Sequence, residues 1–313
     1  LDLDFETDAS KRYLSISDKA VASCNALLSA VDVRKLGDRF IDSIIYLVRK
    51  ATADRFQQEA ESLAERHRTD WQSILLANVS YDVMLSTIGC STIALPTPNG
   101  PVVARNMDWP PQGLLAKASH LLKCRKSNGS FVHAAWPASI GAVTGLSERG
   151  FAIVVNAAEN PEDESLAGYP VLLFVRSVLE DASDFQDAVR RLSSEKLAMS
   201  AMITVVGTDN KERVVIERSP SICARRWPGD GKPLIVTNHH RALLPAQPCQ
   251  RYERLEEMLA TRSEADVPEE DALLTMLTDK GVMQEITAQH VTIRPKDNLM
   301  RLYVPTALLN HNG

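Results

Sequence analysis

None of the 16 prolines in this 313-residue chain lies before Pro96, and only two of its 14 glycines, Gly37 and Gly89, precede Cys90. Proline breaks helix interiors and glycine weakens them, so a long stretch lacking the first and sparse in the second reads as helical. From Cys90 onward both residues recur and the apolar period shortens to two. The chain is therefore two unlike segments meeting at Cys90. Charge does not divide them, with 11 basic and 14 acidic residues before Cys90 and 24 and 26 from it onward. The length alone would suggest two domains at roughly 150 residues each. The composition favours 1–89 plus 90–313, folded as one unit.

In the first segment Ser17 or Asp18 can cap a helix carrying Val21, Leu27, Leu28 and Val31. A second helix places Phe40, Ile44, Leu47 and Val48 on one face. A polar helix is expected from about Asp54 to Arg66, and another from Asp70 through Ile74, Leu75 and Val79. After Cys90, "CSTIAL" and "PVVARNMDW" read as strands joined by a tight turn at Pro98-Asn99-Gly100. "ASHLLKCRK" and "FVHAAWP" form a second hairpin, and "FAIVVNAA" has the density of a buried strand. Two helices follow, near Pro170–Leu179 and from a Ser183 cap to Leu192. Then come "AMITVVGT", "ERVVIERS", "SICARRW" and "PLIVTNHH", helices near Arg251–Leu259 and Glu270–Leu277, and a last hairpin, "HVTIRP" with "LMRLYVP". Strands, two helices, strands, two helices, strands: the order predicts an α+β fold of two sheets with helix layers outside.

Several function classes are disfavoured. A net charge of −5 gives no basic footprint for nucleic acid. Apolar runs such as Val171–Val175 fall far short of the roughly 20 residues that cross a bilayer. The opening "LDLDFETDAS" lacks the apolar stretch of a signal peptide; no compartment follows from the sequence, though a bacterial chain would be expected in the cytoplasm. The five cysteines (24, 90, 124, 223 and 249) are odd in number and include no C-x-x-C pair, which argues against a zinc site or a disulfide framework. The His239-His240 pair has no carboxylate at ligand spacing and reads as surface, so neither metal nor cofactor is expected. Asn78-Val79-Ser80 and Asn128-Gly129-Ser130 fit the glycosylation sequon.

Cys90 is the informative cysteine. A free cysteine is ordinarily a small buried hydrophobe, yet this one follows Gly89 where the helical composition stops. The turn at Asn99-Gly100 should fold the polar cluster Arg105, Asn106 and Asp108 back toward it, and a cation beside a thiol favours thiolate. Asn156 ends an apolar strand, an awkward place for an amide unless it points into a site.

Taken together, "GCST…RNMDW", "NAA" at 156–158, "TNHH" at 237–240 and "QRYERL" at 250–255 resemble a cysteine N-terminal-nucleophile (Ntn) hydrolase. The branch is similar to acid ceramidase, N-acylethanolamine acid amidase and fungal acyl-CoA:6-aminopenicillanate acyltransferase, and is related to choloylglycine hydrolases. The resemblance spans most of 90–313 and meets the first 89 residues only as a pro-segment of plausible length. It implies a four-layer αββα sandwich and a precursor that cuts itself between Gly89 and Cys90, freeing an α-amino group. With a reference pKa of about 7.7–8.0, that amine can serve as base to its own thiol. The resemblance further implies that Arg105 orients the thiolate, that Asp108 holds the new amine, and that Asn156 supplies the oxyanion hole. Asn238 would be the second catalytic asparagine, and Arg251 a support to the cluster. The implied substrate is a small N-acyl amide with an apolar acyl group, and the two fragments would form a heterodimer. Acyl transfer to an amine, or an uncut non-catalytic binding protein of the same fold, are the alternatives. Ser91 departs from the threonine common in relatives.

Overall fold

The computed structural model of the chain describes residues 1–30, 37–83, 89–158, 165, 167–263 and 265–310. Its strands are β1 (Asp2–Asp4), β2 (Gly89–Leu95), β3 (Val102–Asp108), β4 (His120–Arg125), β5 (Phe131–Ala135), β6 (Thr144–Ser147) and β7 (Phe151–Ala157), then β8 (Ala201–Val206), β9 (Arg213–Arg218), β10 (Cys223–Arg226), β11 (Leu234–Val236), β12 (Thr287–Arg294) and β13 (Leu299–Tyr303). They build two sheets, ordered β1-β4-β5-β6-β7-β8-β9-β10 and β11-β2-β3-β12-β13.

Alternation along the strands divides the core into three layers of contact. Ala94, Val103, Val154, Met202, Val215 and Val291 point inward and fill the space between the sheets. On the outer face of the small sheet, Ile93, Val102 and Ala104 pack on Leu255, Leu273 and Leu277 of helices Gln250–Leu259 and Glu270–Leu277. Ile153 and Val155 turn to the outer face of the large sheet, in one core with Val171, Val175 and Leu179 and with Val21, Leu63 and Ile74 of the first segment. Helix, sheet, sheet, helix: this is the four-layer αββα sandwich that the resemblance implies. A continuous buried core joins residues from both sides of Cys90.

The first segment is helical as its composition predicts, with helices at Asp18–Ala30, Asp38–Thr52, Gln57–His67 and Trp71–Asn78. Val31 lies outside the described residues. Asp70 caps the last of these helices, accepting from the Ser73 N–H at 2.7 Å. Three expectations need correcting here. The Asp38–Thr52 helix buries Ile41, Ile44, Ile45 and Val48, while Phe40 is 43% exposed. The polar helix starts at Gln57 instead of Asp54, because Ala53 and Asp54 both sit at positive φ and end the helix before it. The segment also contributes a strand: β1 pairs parallel to β4, with Leu3 opposite Cys124.

In the second segment each strand-like run forms a strand, and the Gly100 turn sits at φ 94°, a conformation glycine adopts without cost. The helices are Val171–Asp181 and Phe185–Ser194. The second is capped by Asp184, not Ser183: the Asp184 carboxylate accepts from the Asp187 N–H at 2.8 Å. The Ser183 hydroxyl instead donates to Asp184 Oδ2 at 3.0 Å and supports that cap. Strand β6 and the helix Gln112–Ala118 were not anticipated. Asn78 is 2% exposed, so that sequon is sealed in the core. His240 is likewise buried rather than on the surface. Among the described residues no helix is long and apolar enough to cross a membrane, and no group of three His, Cys, Asp or Glu could hold a metal.

Candidate active site

The β2–β3 hairpin fixes the centre of the site. Its register sets Gly89 opposite Asp108, Cys90 opposite Met107 and Thr92 opposite Arg105. Period-two alternation sends Cys90, Thr92 and Ala94 to the inner face, where Arg105 also points. The Arg105 Nη2 lies 2.8 Å from Cys90 Sγ. Its Nη1 donates to Thr144 Oγ1 at 2.5 Å on β6 and its Nε to the Asn106 carbonyl. A fully buried guanidinium is thereby locked with one edge on the thiol.

Asn238 and Arg251 arrive from far along the chain. Asn238 Oδ1 accepts from the Cys90 backbone N–H at 3.0 Å, and its Nδ2 donates to the Ala157 carbonyl at 2.8 Å on β7. Arg251, on the Gln250–Leu259 helix, donates to the Cys90 carbonyl (2.6 Å), to Ser91 Oγ (3.0 Å) and to Asn238 Oδ1 (2.7 Å). It also stands 3.6 Å from Asp108 Oδ2. Asp108 Oδ1 accepts from Thr287 Oγ1 at 2.6 Å, while Oδ2 is buried with no hydrogen-bond partner among the described residues. A Cβ at Gly89 would come within 3.1 Å of that same carboxylate. One acceptor is thus held open beside the Gly89–Cys90 peptide bond. Asn156 is one step removed: its Oδ1 accepts from Thr92 Oγ1 at 2.8 Å, and its Nδ2 donates to the Val236 carbonyl at 3.3 Å. Its amide faces the seam between the sheets rather than bonding Cys90.

The expected thiolate is not favoured in the intact chain. Burial pushes the Cys90 thiol up, and although Arg105 pulls the other way, burial prevails. Charging a sulfur that water cannot reach costs more than one guanidinium returns. Burial raises the Asp108 carboxyl as well, against Thr287, Arg251 and Arg105. The site therefore holds a neutral thiol.

All six side chains singled out in the sequence, with Gly89, fall in one region around the start of β2. Sequence reasoning missed Thr144, Thr287 and Glu217. Thr144 lies in a strand too short to notice, and Thr287 precedes the run read as "HVTIRP". Glu217 carried a signal: an acid alternating inward within the apolar "ERVVIERS".

A two-sheet sandwich with a cysteine at the start of an inner strand, flanked by arginine, aspartate and asparagine, defines the chain as an Ntn hydrolase. More narrowly, it belongs to the acyl-coenzyme A:6-aminopenicillanic acid acyl-transferase family, whose model matches residues 95–290. That match includes Arg105, Asp108, Asn156, Asn238 and Arg251, and begins five residues after Cys90. The chain is 24% identical over 211 residues to the N-acylethanolamine-hydrolyzing acid amidase of Mus musculus (62% of this chain, 58% of the relative). It is 25% identical over 188 residues to the Caenorhabditis elegans protein of the same description (55% and 53%). The chain thus spans little more than half the length of these relatives. The solved structure of the Caenorhabditis elegans ortholog superposes with a TM-score of 0.56 at 19% identity, covering 66% of this chain and 93% of that one.

Proposed function

We propose that the protein is a self-processing amidase that hydrolyses a linear N-acyl amide through an acyl-Cys90 thioester. The observation that carries this reading is the convergence on one residue of Arg105 at the sulfur and of Asn238 at the nitrogen. In the first reaction Cys90 Sγ attacks the Gly89 carbonyl carbon. The C–N bond breaks, the thiol proton ends on the departing Cys90 nitrogen, and a thioester forms. Water then cleaves the thioester, releasing the Gly89 carboxylate and restoring the thiol, now beside a free α-amine. That amine, reference pKa about 7.7–8.0, takes the thiol proton in each later turnover and returns it to the leaving amine. Arg105 orients the sulfur and offsets its charge. Asp108 Oδ2, which faces Arg251 at 3.6 Å but accepts no hydrogen bond among the described residues, receives the new ammonium, and Asn156 and Asn238 are the amide donors for the tetrahedral oxyanion. Arg251 braces Asn238 and the Cys90 carbonyl.

Residues 1–89 become the small subunit and 90–313 the large one, remaining together as a heterodimer. Their shared core and the Tyr13–Glu59–Arg176 contacts across the division support this. An apolar acyl group is favoured by a groove at their junction, lined by Leu27, Leu28, Trp109, Leu115 and Trp136; Trp109 follows Asp108 directly. The relatives' descriptions as N-acylethanolamine-hydrolyzing enzymes support hydrolysis. The family's own description as an acyl-transferase supports a second outcome for the same thioester, capture by an amine.

The test is a denaturing gel of the purified chain, followed by incubation with a panel of N-acyl amides while free acid is measured. Two fragments, the larger beginning at Cys90, and acid release are expected. Cys90→Ala should give one uncut chain with no turnover, and turnover retained in that variant would overturn the mechanism. Adding an amine acceptor and looking for a new amide separates transfer from hydrolysis.

A further inference from the structure

Outside the cluster described above, one acidic side chain is wholly enclosed and tied to the segment that bears Asn238. Glu217, on β9, has no exposed surface. A single oxygen, Oε2, accepts from three successive backbone N–H groups: Arg241 at 2.9 Å, Ala242 at 2.8 Å and Leu243 at 2.9 Å. His240 Nδ1 is 3.5 Å from the same oxygen, and Arg226 Nε is 3.5 Å from Oε1. Three consecutive N–H groups converging on one point form a nest, an arrangement that ordinarily receives an anion. Here the anion is the protein's own, delivered from the opposite sheet. Burial alone would raise this carboxyl, but His240 and the three N–H groups outweigh it and hold it at about 2. It is ionised at neutral pH.

The position of the nest matters because of what precedes it. Between Val236, the last residue of β11, and Gln250 the backbone forms neither helix nor strand. No ladder therefore fixes Asn238, which must nonetheless bridge the Cys90 nitrogen, Arg251 and the Ala157 carbonyl. The strand ends two residues before Asn238, and the Glu217 nest begins three residues after it. We propose that Glu217 is a positioning residue: its carboxylate anchors residues 241–243 and so holds Asn238 against the nitrogen of Cys90. This inference rests on the reading of Cys90 as nucleophile and base.

The consequence can be read on the amine. In the cut enzyme Asn238 Oδ1 accepts from the α-ammonium and favours its protonated form, as does Asp108, while Arg105 and Arg251 oppose it. Letting Asn238 drift removes one of the two groups that raise the amine, so the acid limb of the kcat/KM profile should move to lower pH. Glu217→Gln keeps the shape but loses the charge that three N–H groups share. We expect kcat to fall on the order of 10- to 100-fold with KM nearly unchanged, slower self-cleavage, and a downward move of the acid limb. Asn238→Ala should move that limb the same way. Glu217→Asp, which keeps the charge at shorter reach, should recover part of kcat, and it gives the same readouts if Glu217→Gln does not fold. A Glu217 variant with reduced yield but parental kcat and an unmoved limb would overturn the proposal, leaving the residue a fold support only. The wild-type and Cys90→Ala measurements test the amidase reading separately: if the wild type neither cuts nor turns over, that reading fails first.

Discussion

Arg176 offers the sharpest test of how the two segments are joined. It is buried in the Val171–Asp181 helix, with Nη1 3.2 Å from Glu59 Oε1 and 3.0 Å from the Ile140 carbonyl, and Nη2 3.2 Å from Glu180 Oε2. The rings of Phe5 and Phe131 lie 4.7 and 5.0 Å from its guanidinium carbon. Arg176→Met would retain the packing between the rings and remove the charge. Glu59 would be left buried with the Tyr13 hydroxyl, and the Ile140 carbonyl would lose this donor. Glu180 would keep Lys126 at 2.6 Å and Arg55 at 3.1 Å. Breaking a buried pair costs about 3–5 kcal/mol, and the surviving partners of Glu180 place this case near ~3 kcal/mol. The assay is urea unfolding of the single-piece Cys90→Ala chain, followed by circular dichroism. Adding Glu59→Gln should recover more than ~1 kcal/mol, since the stranded charge is the main cost.

A pH arm accompanies it. Burial would raise Glu180, but Arg176, Lys126 and Arg55 hold it at about 2, below its ordinary 4.5. A lowered carboxyl stabilises the fold fully above 4.5 and loses that contribution as pH falls toward 2. The slope over this window should be shallower in Arg176→Met. A destabilisation under ~1 kcal/mol, with the acid slope unchanged, would refute the idea that a charged arginine is what Glu59 and Glu180 require.

Asp82 makes the opposite prediction. Burial pushes it up to about 7, so the fold loses stability as pH rises from 3.8 toward 7; Asp82→Asn, still accepting from the Val171 N–H, should raise the urea midpoint at pH 8 and flatten that slope. Asn78→Ala would strip Oδ1 from the Ile140 and Gly141 N–H groups (2.6 and 3.0 Å) and Nδ2 from the Ala138 carbonyl. Loss of about 2–4 kcal/mol is expected in the same unfolding assay. Gly89→Ala places a methyl 3.1 Å from Asp108 Cβ and Oδ2, so self-cleavage followed on a gel should slow severalfold without loss of fold.

How far the residues alone could lead is clearest at particular positions. The Asn99-Gly100 turn showed that β2 and β3 pair, and with that the approach of Arg105 to Cys90; residues 96–101 between the paired Leu95 and Val102 leave the register to the buried faces of the strands. The protonation of Cys90 was not legible: the charge beside it is visible in the sequence, but the burial that outweighs it exists only after two sheets close. Phe40 misled because Phe40, Ile41, Ile44, Ile45, Leu47 and Val48 support two overlapping helical faces, and only a partner surface chooses between them. Arg251 could be read as a solvated helix residue, since nothing local ties it to a cysteine 161 positions away. Glu217 was legible in part: its inward place in "ERVVIERS" can be read from alternation, but its partners are backbone amides that carry no residue signature.

The parallel pairing of β1 with β4 has a consequence for the large fragment taken alone. In the whole chain the outer rim of β4 is closed by Asp2–Asp4, with Leu3 seated opposite Cys124 and 1% exposed. Strip away the small fragment and β4 presents a row of unpaired amides and carbonyls above newly wetted apolar side chains, a template for pairing with another molecule. The three-residue strand would then be acting as a guard against self-association. Residues 90–313 produced without it should be recovered as aggregates, and supplying 1–89 as a separate chain during refolding should restore soluble protein.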